Sequence, residues 1–203
     1  NKESKIRAVD ELTIDASEVK ENQSNLVVSG KIDGSITTLE FTNRRGEPGK
    51  GLRMRLKGND DTTKGVVIWG KDESFLPKVI PQNAKVRLLG VRTKVGNQGL
   101  EIHGNEATLI EIEGGKESEP IIVRVATMKR NDGGKTVAMG IDNKKNMVYL
   151  TDSSNMLDSI SVGDVIECMP AQVFGNAVTI NHNSFVRKID DESIPQLSSL
   201  RTK

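Results

Sequence analysis

The sequence predicts an all-β chain that folds as two small barrels in tandem. Short runs rich in Val, Ile and Thr, some alternating with polar residues, are typical of strands. Glycines and Asn/Asp pairs separate these runs at turns, and the chain contains 19 glycines among 203 residues. The same order of runs then occurs a second time, which indicates two copies of one architecture.

The first half contains one helix signal and several strand runs, which we group into five strands. The predicted strands cover residues 26–32 and 36–42, 52–57, 66–69, 85–93, and 100–103 with an extension at 108–112. Residues 74–80 predict a short helix that Ser74 can cap, and glycine-rich hairpin loops are expected at 44–51 and 95–99. Five strands with a helix between the third and the fourth is the order of the OB-fold, a Greek-key barrel.

The second half repeats this order more weakly. Its predicted strands cover residues 121–127, 136–141, 147–151, 162–166 and 178–180, with a short helix at 156–160 and a hairpin at 174–177. We therefore predict an acidic N-terminal arm or helix (1–21), a first OB-fold (22–112), a linker (113–120), a second OB-fold (121–189) and a C-terminal tail toward a further domain (190–203).

Positive charge is concentrated in the first half. The formal net charge of the whole chain is only +1. Residues 22–112 contain 14 Lys/Arg against 10 Asp/Glu, whereas residues 119–189 contain 8 against 7 and residues 1–21 contain 4 against 6. Because a local basic patch matters more for polyanions than the net value does, the first barrel is the better candidate for binding one.

The composition excludes several classes of site. The single cysteine, Cys168, has no partner for a disulfide and leaves no cysteine cluster for zinc, so we predict no metal and no cofactor. No nucleophile, base and acid stand at a catalytic spacing, which predicts a binding protein and not an enzyme. There is no long apolar run and no signal-peptide pattern, so we expect an intracellular, nucleoid-associated protein without membrane contact. Because the chain begins with Asn1, we expect it to be part of a longer polypeptide.

Two groups of cations near hairpins are candidate phosphate contacts. Residues 44–57 hold six cations against one acid, and one side of the strand at 52–57 is entirely basic. A solvated sheet face would also explain this stripe; its position beside two loops favours phosphate contact. The candidates are Arg44, Arg45, Lys50, Arg53, Arg55, Lys57, Arg92 and Lys94 in the first half, and Lys129, Arg130, Lys144 and Lys145 in the second.

Aromatic residues make up only 3% of the chain, so each ring is informative. Strand alternation allows Trp69 to be either a core residue or a surface ring on which a base could stack. Phe174 lies beside a hairpin turn and is a second stacking candidate, with Tyr149 as a weaker one. We expect Phe41, Phe75 and Phe185 to lie in the core, and the two histidines to be structural.

Three short motifs of the first half together resemble the DNA-binding OB domains of the archaeal replication protein A family. These are Leu39-Glu40-Phe41, the run from Lys64 to Trp69, and Leu100-Glu101-Ile102-His103-Gly104, within a resemblance that covers about residues 25–112. The second half resembles the family more loosely, through its topology and Val162-Gly163-Asp164. The resemblance implies that Trp69 stacks on a base, whereas the second ring that the family commonly places on its last hairpin is replaced by Val95 or Leu100.

The resemblance implies single-stranded DNA binding and protection in replication, recombination and repair. The expected partners are single-stranded DNA, further OB domains or subunits of the same complex, and replication or repair proteins. Two alternatives stay open at this point: an RNA-binding OB protein, and an OB-fold scaffold for protein interactions in a larger complex. Little sequence preference is expected, since stacking and phosphate contacts do not read base edges.

Overall fold

The structure, a computed structural model, describes residues 8–194 and is built almost entirely of strands. Residues 8–12 are helical, and single 3₁₀ turns cover Ala16–Glu18 and Glu73–Phe75. All other regular structure belongs to two sheets of eight strands each. The prediction of an all-β chain is confirmed. Among the residues described, no helix has the length and apolar character that crossing a bilayer demands.

Nine strands lie in the first 112 residues. They are β1 (Thr13–Asp15), β2 (Leu26–Ile32), β3 (Thr37–Thr42), β4 (Pro48–Lys57), β5 (Thr63–Trp69), β6 (Val79–Ile80), β7 (Lys85–Gly96), β8 (Gly99–Gly104) and β9 (Leu109–Ile112). Seven follow: β10 (Ile121–Arg130), β11 (Thr136–Asp142), β12 (Met147–Asp152), β13 (Val165–Met169), β14 (Gln172–Phe174), β15 (Ala177–Ile180) and β16 (Phe185–Ile189).

The chain divides into two compact units. The first comprises the chain up to Pro77 together with Asn83–Gly114, and the second comprises Lys78–Gln82 and the chain from Gly115 onward. In the first unit the pairings run from β2 through β4, β5, β8 and β7 back to β2, so they form a closed circuit. Only β5–β8 within this circuit is parallel. The circuit encloses a core that includes Leu52, Met54, Leu56, Ile68, Leu88 and Ile102.

In the second unit the strand order is β16-β13-β10-β11-β12-β15-β14-β6. Strands β13 and β14 are separated only by Pro170 and Ala171, yet β13 pairs with β10 and β14 pairs with β15. The sheet therefore curves back on itself around an apolar core whose largest members are Leu150, Leu157, Ile166 and Ile180. The short strand β6 forms the far edge of this sheet, in parallel with β14.

Neither predicted helix is present. Residues 74–80 contain the end of a 3₁₀ turn and strand β6, because Pro77 forces Leu76 into an extended conformation (φ −102°, ψ 151°) and so stops a helix from continuing. Residues 156–159 form turns. There the backbone amides of Ser154 and Leu157 donate to the buried carboxylate of Asp152, at 3.0 and 2.9 Å.

The expectation of three core phenylalanines is wrong. Phe41 is 38% exposed, Phe75 is 54% exposed and Phe185 is 53% exposed. Phe41 pairs with Gly49 on the outer side of the sheet, Phe75 lies in the 3₁₀ turn beneath the Lys71 ammonium, and Phe185 begins the edge strand β16. The predicted N-terminal arm and C-terminal tail fall partly outside the described residues, at 1–7 and 195–203.

Candidate nucleic-acid interface

One outward side of the first unit gathers most of the residues that the sequence indicated. Directly paired residues on neighbouring strands point to the same side of a sheet. Trp69 pairs with Gly51 and Val67 with Arg53, while Val67 also pairs with His103 on β8. On the next strand, Arg92 pairs with His103 and Lys94 with Glu101. We call this side the outer face; it holds Phe41, Gly49, Gly51, Arg53, Arg55, Lys57, Gly65, Val67, Trp69, Arg92, Lys94, Glu101 and His103.

Two aromatic rings lie edge to face at one end of the outer face. The ring centroids of Phe41 and Trp69 are 5.1 Å apart at an interplanar angle of 87°, a favoured arrangement for aromatic pairs. Trp69 is 37% exposed. A Cβ atom built on Gly49 would lie 2.4 Å from Cζ of Phe41, and one on Gly51 would lie 3.4 Å from the Trp69 ring. The absence of a side chain at Gly49 therefore makes room for the Phe41 ring, whereas a Cβ at Gly51 would make ordinary van der Waals contact with the Trp69 ring.

Trp69 is held by a chain of two hydrogen bonds. Its indole Nε1 donates to Nδ1 of His103 at 3.0 Å, and Nε2 of His103 lies 2.8 Å from Oε2 of Glu101. Because an indole N–H can only donate, Nδ1 must accept, so the proton of the neutral imidazole is on Nε2 and is donated to the carboxylate. His103 is only 4% exposed. The indole orientation is thus fixed by a buried side chain of the adjacent strand β8.

Four cations stand along the outer face beside the rings. Arg53 and Arg55 alternate along β4, and Arg92 and Lys94 alternate along β7; all four are exposed. Arg55 donates to Oγ1 of Thr63 at 2.7 Å. Within residues 8–194, none of these four cations forms an ion pair. They are therefore available to an anionic ligand. Lys57 continues the β4 stripe and is half-buried.

Arg44 and Arg45 lie at the exposed tip of the β3–β4 hairpin. The side-chain oxygen of Asn43 accepts from the backbone amides of Arg45 and Glu47, at 2.9 and 3.0 Å, and Gly46 takes a φ of +78°. This tight turn projects both guanidinium groups beyond the strands. The other hairpin, between β7 and β8, carries Val95, which is 58% exposed. Val95 is one of the two residues that stand in this sequence where a second stacking ring would be expected.

Lys50 differs from the other candidates in the first unit. It lies between Gly49 and Gly51 on β4, so alternation places it on the side of the strand opposite to both glycines. Its ammonium contacts the Asp72 carboxylate at 2.6 Å. The bonds from Lys50 and then from Ser74 lower the pKa of Asp72 from 3.8 to about 2. The charge of Lys50 is therefore already paired.

The candidates in the second unit are more dispersed. Lys129 is exposed beside Val137 on the adjacent strand, whereas Lys144 and Lys145 lie in the β11–β12 turn. Arg130 donates to the backbone oxygens of Leu157 and Ile160 at 3.2 and 2.9 Å, and it also pairs with Asp158 at 3.4 Å. This cation is largely engaged in fixing a loop.

Apolar side chains dominate the outward side of the second sheet. Phe174 pairs with Ala177, Ala177 with Tyr149, and Tyr149 with Met139, so these four residues form a row across four strands. Tyr149 is 47% exposed, whereas Phe174 is half-buried. Phe174 ends β14 directly before the turn that Gly175 and Asn176 form, which is the hairpin position that the sequence predicts.

Sequence reasoning missed Phe41, Glu101 and His103 as members of this surface. Phe41 looked like core because it is large and apolar within a strand. Its partner Gly49 was the available signal, since a ring on the outer side packs over a glycine more easily than over a side chain. Glu101 and His103 alternate on β8 in the same way as Trp69 and Val67 do on β5. No group of three or more potential metal ligands is found in the described part of the chain.

No protein-family model and no curated protein matches this chain. Among solved structures, an OB domain from Thermoplasma acidophilum is similar with a TM-score of 0.40 and 19% identity, covering 50% of this chain and 87% of that one. The second OB-fold domain of replication protein A from Methanococcus maripaludis has a TM-score of 0.40 and 20% identity, covering 50% and 95%. A replication protein A heterotrimer bound to ssDNA has a TM-score of 0.44 and 14% identity, covering 88% of this chain and 52% of that chain.

Proposed function

We propose that this chain is a non-enzymatic single-stranded DNA-binding protein built from two OB-folds, and that the outer face of the first unit is its main binding surface. One observation carries the proposal: the strand register puts an exposed tryptophan on the same side of one sheet as four exposed cations that have no ion pair in the described part of the chain. Single-strand binding requires this combination, because rings stack on bases while cations follow the phosphates.

The aromatic end of the surface would hold a base. The open side of the Trp69 ring offers the stacking platform, and Phe41 stands perpendicular to it as a wall. The bond from the indole to His103 keeps the platform in place before the ligand arrives. Such preorganisation reduces the entropy lost on binding. One stack contributes roughly 1–3 kcal/mol, so phosphate contacts must supply the remainder.

The cationic part of the surface would hold the sugar–phosphate backbone. Arg53, Arg55, Arg92 and Lys94 lie on strands to either side of β5 and β8, and Arg44 and Arg45 project from the nearest hairpin. Guanidinium groups bind phosphate oxygens in a bidentate manner. Glu101 adds one negative charge to this surface, but its carboxylate is engaged by His103.

Fluorescence titration tests this proposal. Saturable quenching of the Trp69 emission by oligo-dT, weaker at higher salt, is expected if a base stacks on the ring. W69A should lower the affinity measured by anisotropy of labelled DNA about 5- to 150-fold, in line with one lost stack. The matched control is F75A, which removes an exposed ring of the same unit outside the outer face. Equal affinities for wild type and W69A would contradict the proposal.

A protein-interaction scaffold is the second candidate, and it concerns the second unit. Val137, Met147 and Tyr149 are 39–47% exposed on one side of its sheet. The register also puts Arg124, Lys129 and Arg187 on that side. Arg124 donates to backbone oxygens and Arg187 pairs with Glu167 at 3.0 Å, so Lys129 is the one of these three without such a contact among the described residues. An apolar outer side with little charge is typical of protein contacts. If F174A and K144A/K145A leave DNA affinity unchanged, the second unit belongs to this class. An RNA ligand is tested by competition between oligo-dT and oligo-U.

A further inference from the structure

Three lysines stand side by side on the outside of the first unit. Lys31 on β2 lies directly opposite Lys57 on β4, and also directly opposite Lys85 on β7. Directly opposed residues of antiparallel strands hold their Cβ atoms about 4.5–5.5 Å apart on one side of the sheet. Ile32 and Leu56, the neighbouring pair, are buried. The three ammonium groups therefore point outward together.

This lysine triplet lacks carboxylate partners in the described chain. Like charges directly opposite each other destabilise a sheet, and none of the three lysines forms an ion pair within residues 8–194. The contrast with Arg87, two residues further along β7, is informative. Arg87 contacts both Asp10 and Glu111 at 2.6 Å. The protein thus neutralises one cation at this site and leaves three adjacent ones open.

The triplet borders an open groove. Its other lining residues are Asp15, Ser29, Gly30, Ile32, Gly58, Asn59, Asp61 and Asn83. Oδ2 of Asp15 accepts from the backbone amides of Ser17 and Asn59, both at 2.9 Å, and from the Ser17 hydroxyl, which holds this carboxylate in place. Asp61 is the other carboxylate of the lining. Lysines therefore outnumber carboxylates in the groove, three to two.

We propose that Lys31, Lys57 and Lys85 form a phosphate subsite that receives the backbone of a nucleic-acid strand as it leaves the outer face. Arg53, Arg55 and Lys57 are alternate residues of β4, about 6.8 Å apart at each step. From Lys57 the positive surface turns across β2 to Lys85, over two strand spacings of about 4.8 Å. A continuous cationic path therefore connects the outer face to the groove. This inference rests on the proposed function.

The test measures how the removal of one lysine charge changes the affinity for a short and for a long oligonucleotide. The K31Q variant removes the central lysine, and K20Q is the matched control because Lys20 is an exposed lysine of the same unit outside the triplet. For an oligo-dT of about 5 nucleotides, near the lower end of OB-fold site sizes, K31Q and wild type should bind equally. For one of about 16 nucleotides, K31Q should bind roughly 2- to 5-fold more weakly at low salt, as expected for one exposed ionic contact.

Two further readouts make the outcome decisive. The slope of log K against log salt for the longer oligomer should become shallower by about 0.7 in K31Q. Without DNA, the K31Q protein should melt at a higher temperature than wild type at low salt, because the substitution relieves the repulsion among the three lysines. At high salt the two proteins should melt at the same temperature, because salt already screens this repulsion in wild type. Neither change is expected for K20Q.

Failure of this inference differs from failure of the proposed function. If wild type binds both oligomers and K31Q matches it with the longer one, the phosphate subsite is wrong while the outer face stands. An unchanged melting temperature of K31Q at low salt would also overturn the subsite, because the three charges would not then be closely opposed. If wild type binds neither oligomer, both the subsite and the proposed function are rejected.

Discussion

At the scale of single residues, Trp69 depends on two neighbours on β8, of which His103 is buried and Glu101 is partly exposed. His103 is buried and accepts the indole proton, and Glu101 fixes the tautomer that allows it to do so. Removing the acceptor leaves a partly buried N–H without a partner, which costs roughly 1–3 kcal/mol. Trp69, His103 and Glu101 therefore act as one unit.

Substitution of His103 tests this dependence. H103L removes the acceptor and should weaken ssDNA binding and lower the melting temperature, because the indole N–H loses its bond. H103Q retains a side-chain acceptor and should recover part of both losses. The indole proton resonance in NMR spectra reports the bond directly. Equal binding by H103L and wild type would show that the ring needs no such support.

The pKa of Asp72 gives a prediction about acid stability. Its bonds from Lys50 and Ser74 lower the folded-state pKa from 3.8 to about 2. A lowered carboxyl pKa contributes stability that is present above about 3.8 and is lost as the pH falls toward 2. K50M should therefore reduce the stability difference between pH 5 and pH 2. The Asp72 titration followed by NMR should move up toward 3.8 in that variant, and an unmoved titration would contradict the pairing.

Cys168 should be chemically inert in the folded state. Burial first, and then the nearby Asp152 charge, raise the pKa of the thiol to about 12. Since the thiolate is the reactive form, a thiol reagent at pH 8 should modify the native protein far more slowly than the denatured one. Rapid modification of the native protein would place Cys168 outside the core.

At the scale of elements, β4 combines two tasks along one strand. Its first part carries Gly49 and Gly51 beneath the rings, and its second part carries the outward cations Arg53 and Arg55. The inward residues Leu52, Met54 and Leu56 hold the strand to the core. The two-residue period of a strand allows both sets to coexist, since successive side chains point to opposite sides.

Glycine substitutions on the outer face test the seating of the rings. In G49A the new Cβ would lie 2.4 Å from the Phe41 ring, so the ring must move, and ssDNA affinity should fall about as much as in F41A. The matched control is G65A on β5, where the nearest atom to the new Cβ is 3.8 Å away, in the Glu101 side chain. If G49A and G65A bind ssDNA with equal affinity, the position of the Phe41 ring does not affect ligand binding.

Most strands could be predicted from the sequence, whereas the segments between them could not. The run at 26–32 corresponds to β2 because its composition and flanking turns leave little choice. Residues 74–80 were assigned to a helix from Ser74 and the apolar residues, but Pro77 overrides that preference, and β6 forms by pairing with β14, about 95 residues later. A pairing so distant in sequence leaves no local signal.

The candidate site could also be predicted only in part, because local patterns are visible in the sequence and pairings between distant strands are not. The basic stripe at Arg53 and Arg55 follows directly from alternation, and Trp69 ends a recognisable strand. Register across strands cannot be read from one sequence, so the meeting of Phe41, Trp69 and His103 was not foreseen. The pairing of Lys50 with Asp72 is likewise a contact over 22 residues that composition does not reveal.

At the scale of the whole molecule, the two units carry the same general architecture with different surfaces. The outer face of the first unit holds four exposed cations beside two rings, none with an ion pair among residues 8–194, whereas the corresponding side of the second is mainly apolar. At about 0.7 for each phosphate, these four cations contribute about −3 to the slope of log K against log salt for single strands. The R53A/R55A variant should therefore make the slope shallower by about 1.4, while K50A should change it little. Identical slopes for the two variants would argue against the outer face.

The most direct test of the central claim is an NMR titration of the ¹⁵N-labelled protein with a short oligo-dT. We predict that the Trp69 indole signal and the backbone signals of β4, β5, β7 and β8 shift together and saturate, while those of β1 and β9 stay in place. This result would establish the outer face as the nucleic-acid interface. Saturating shifts confined to other strands, with the Trp69 indole unchanged, would contradict it.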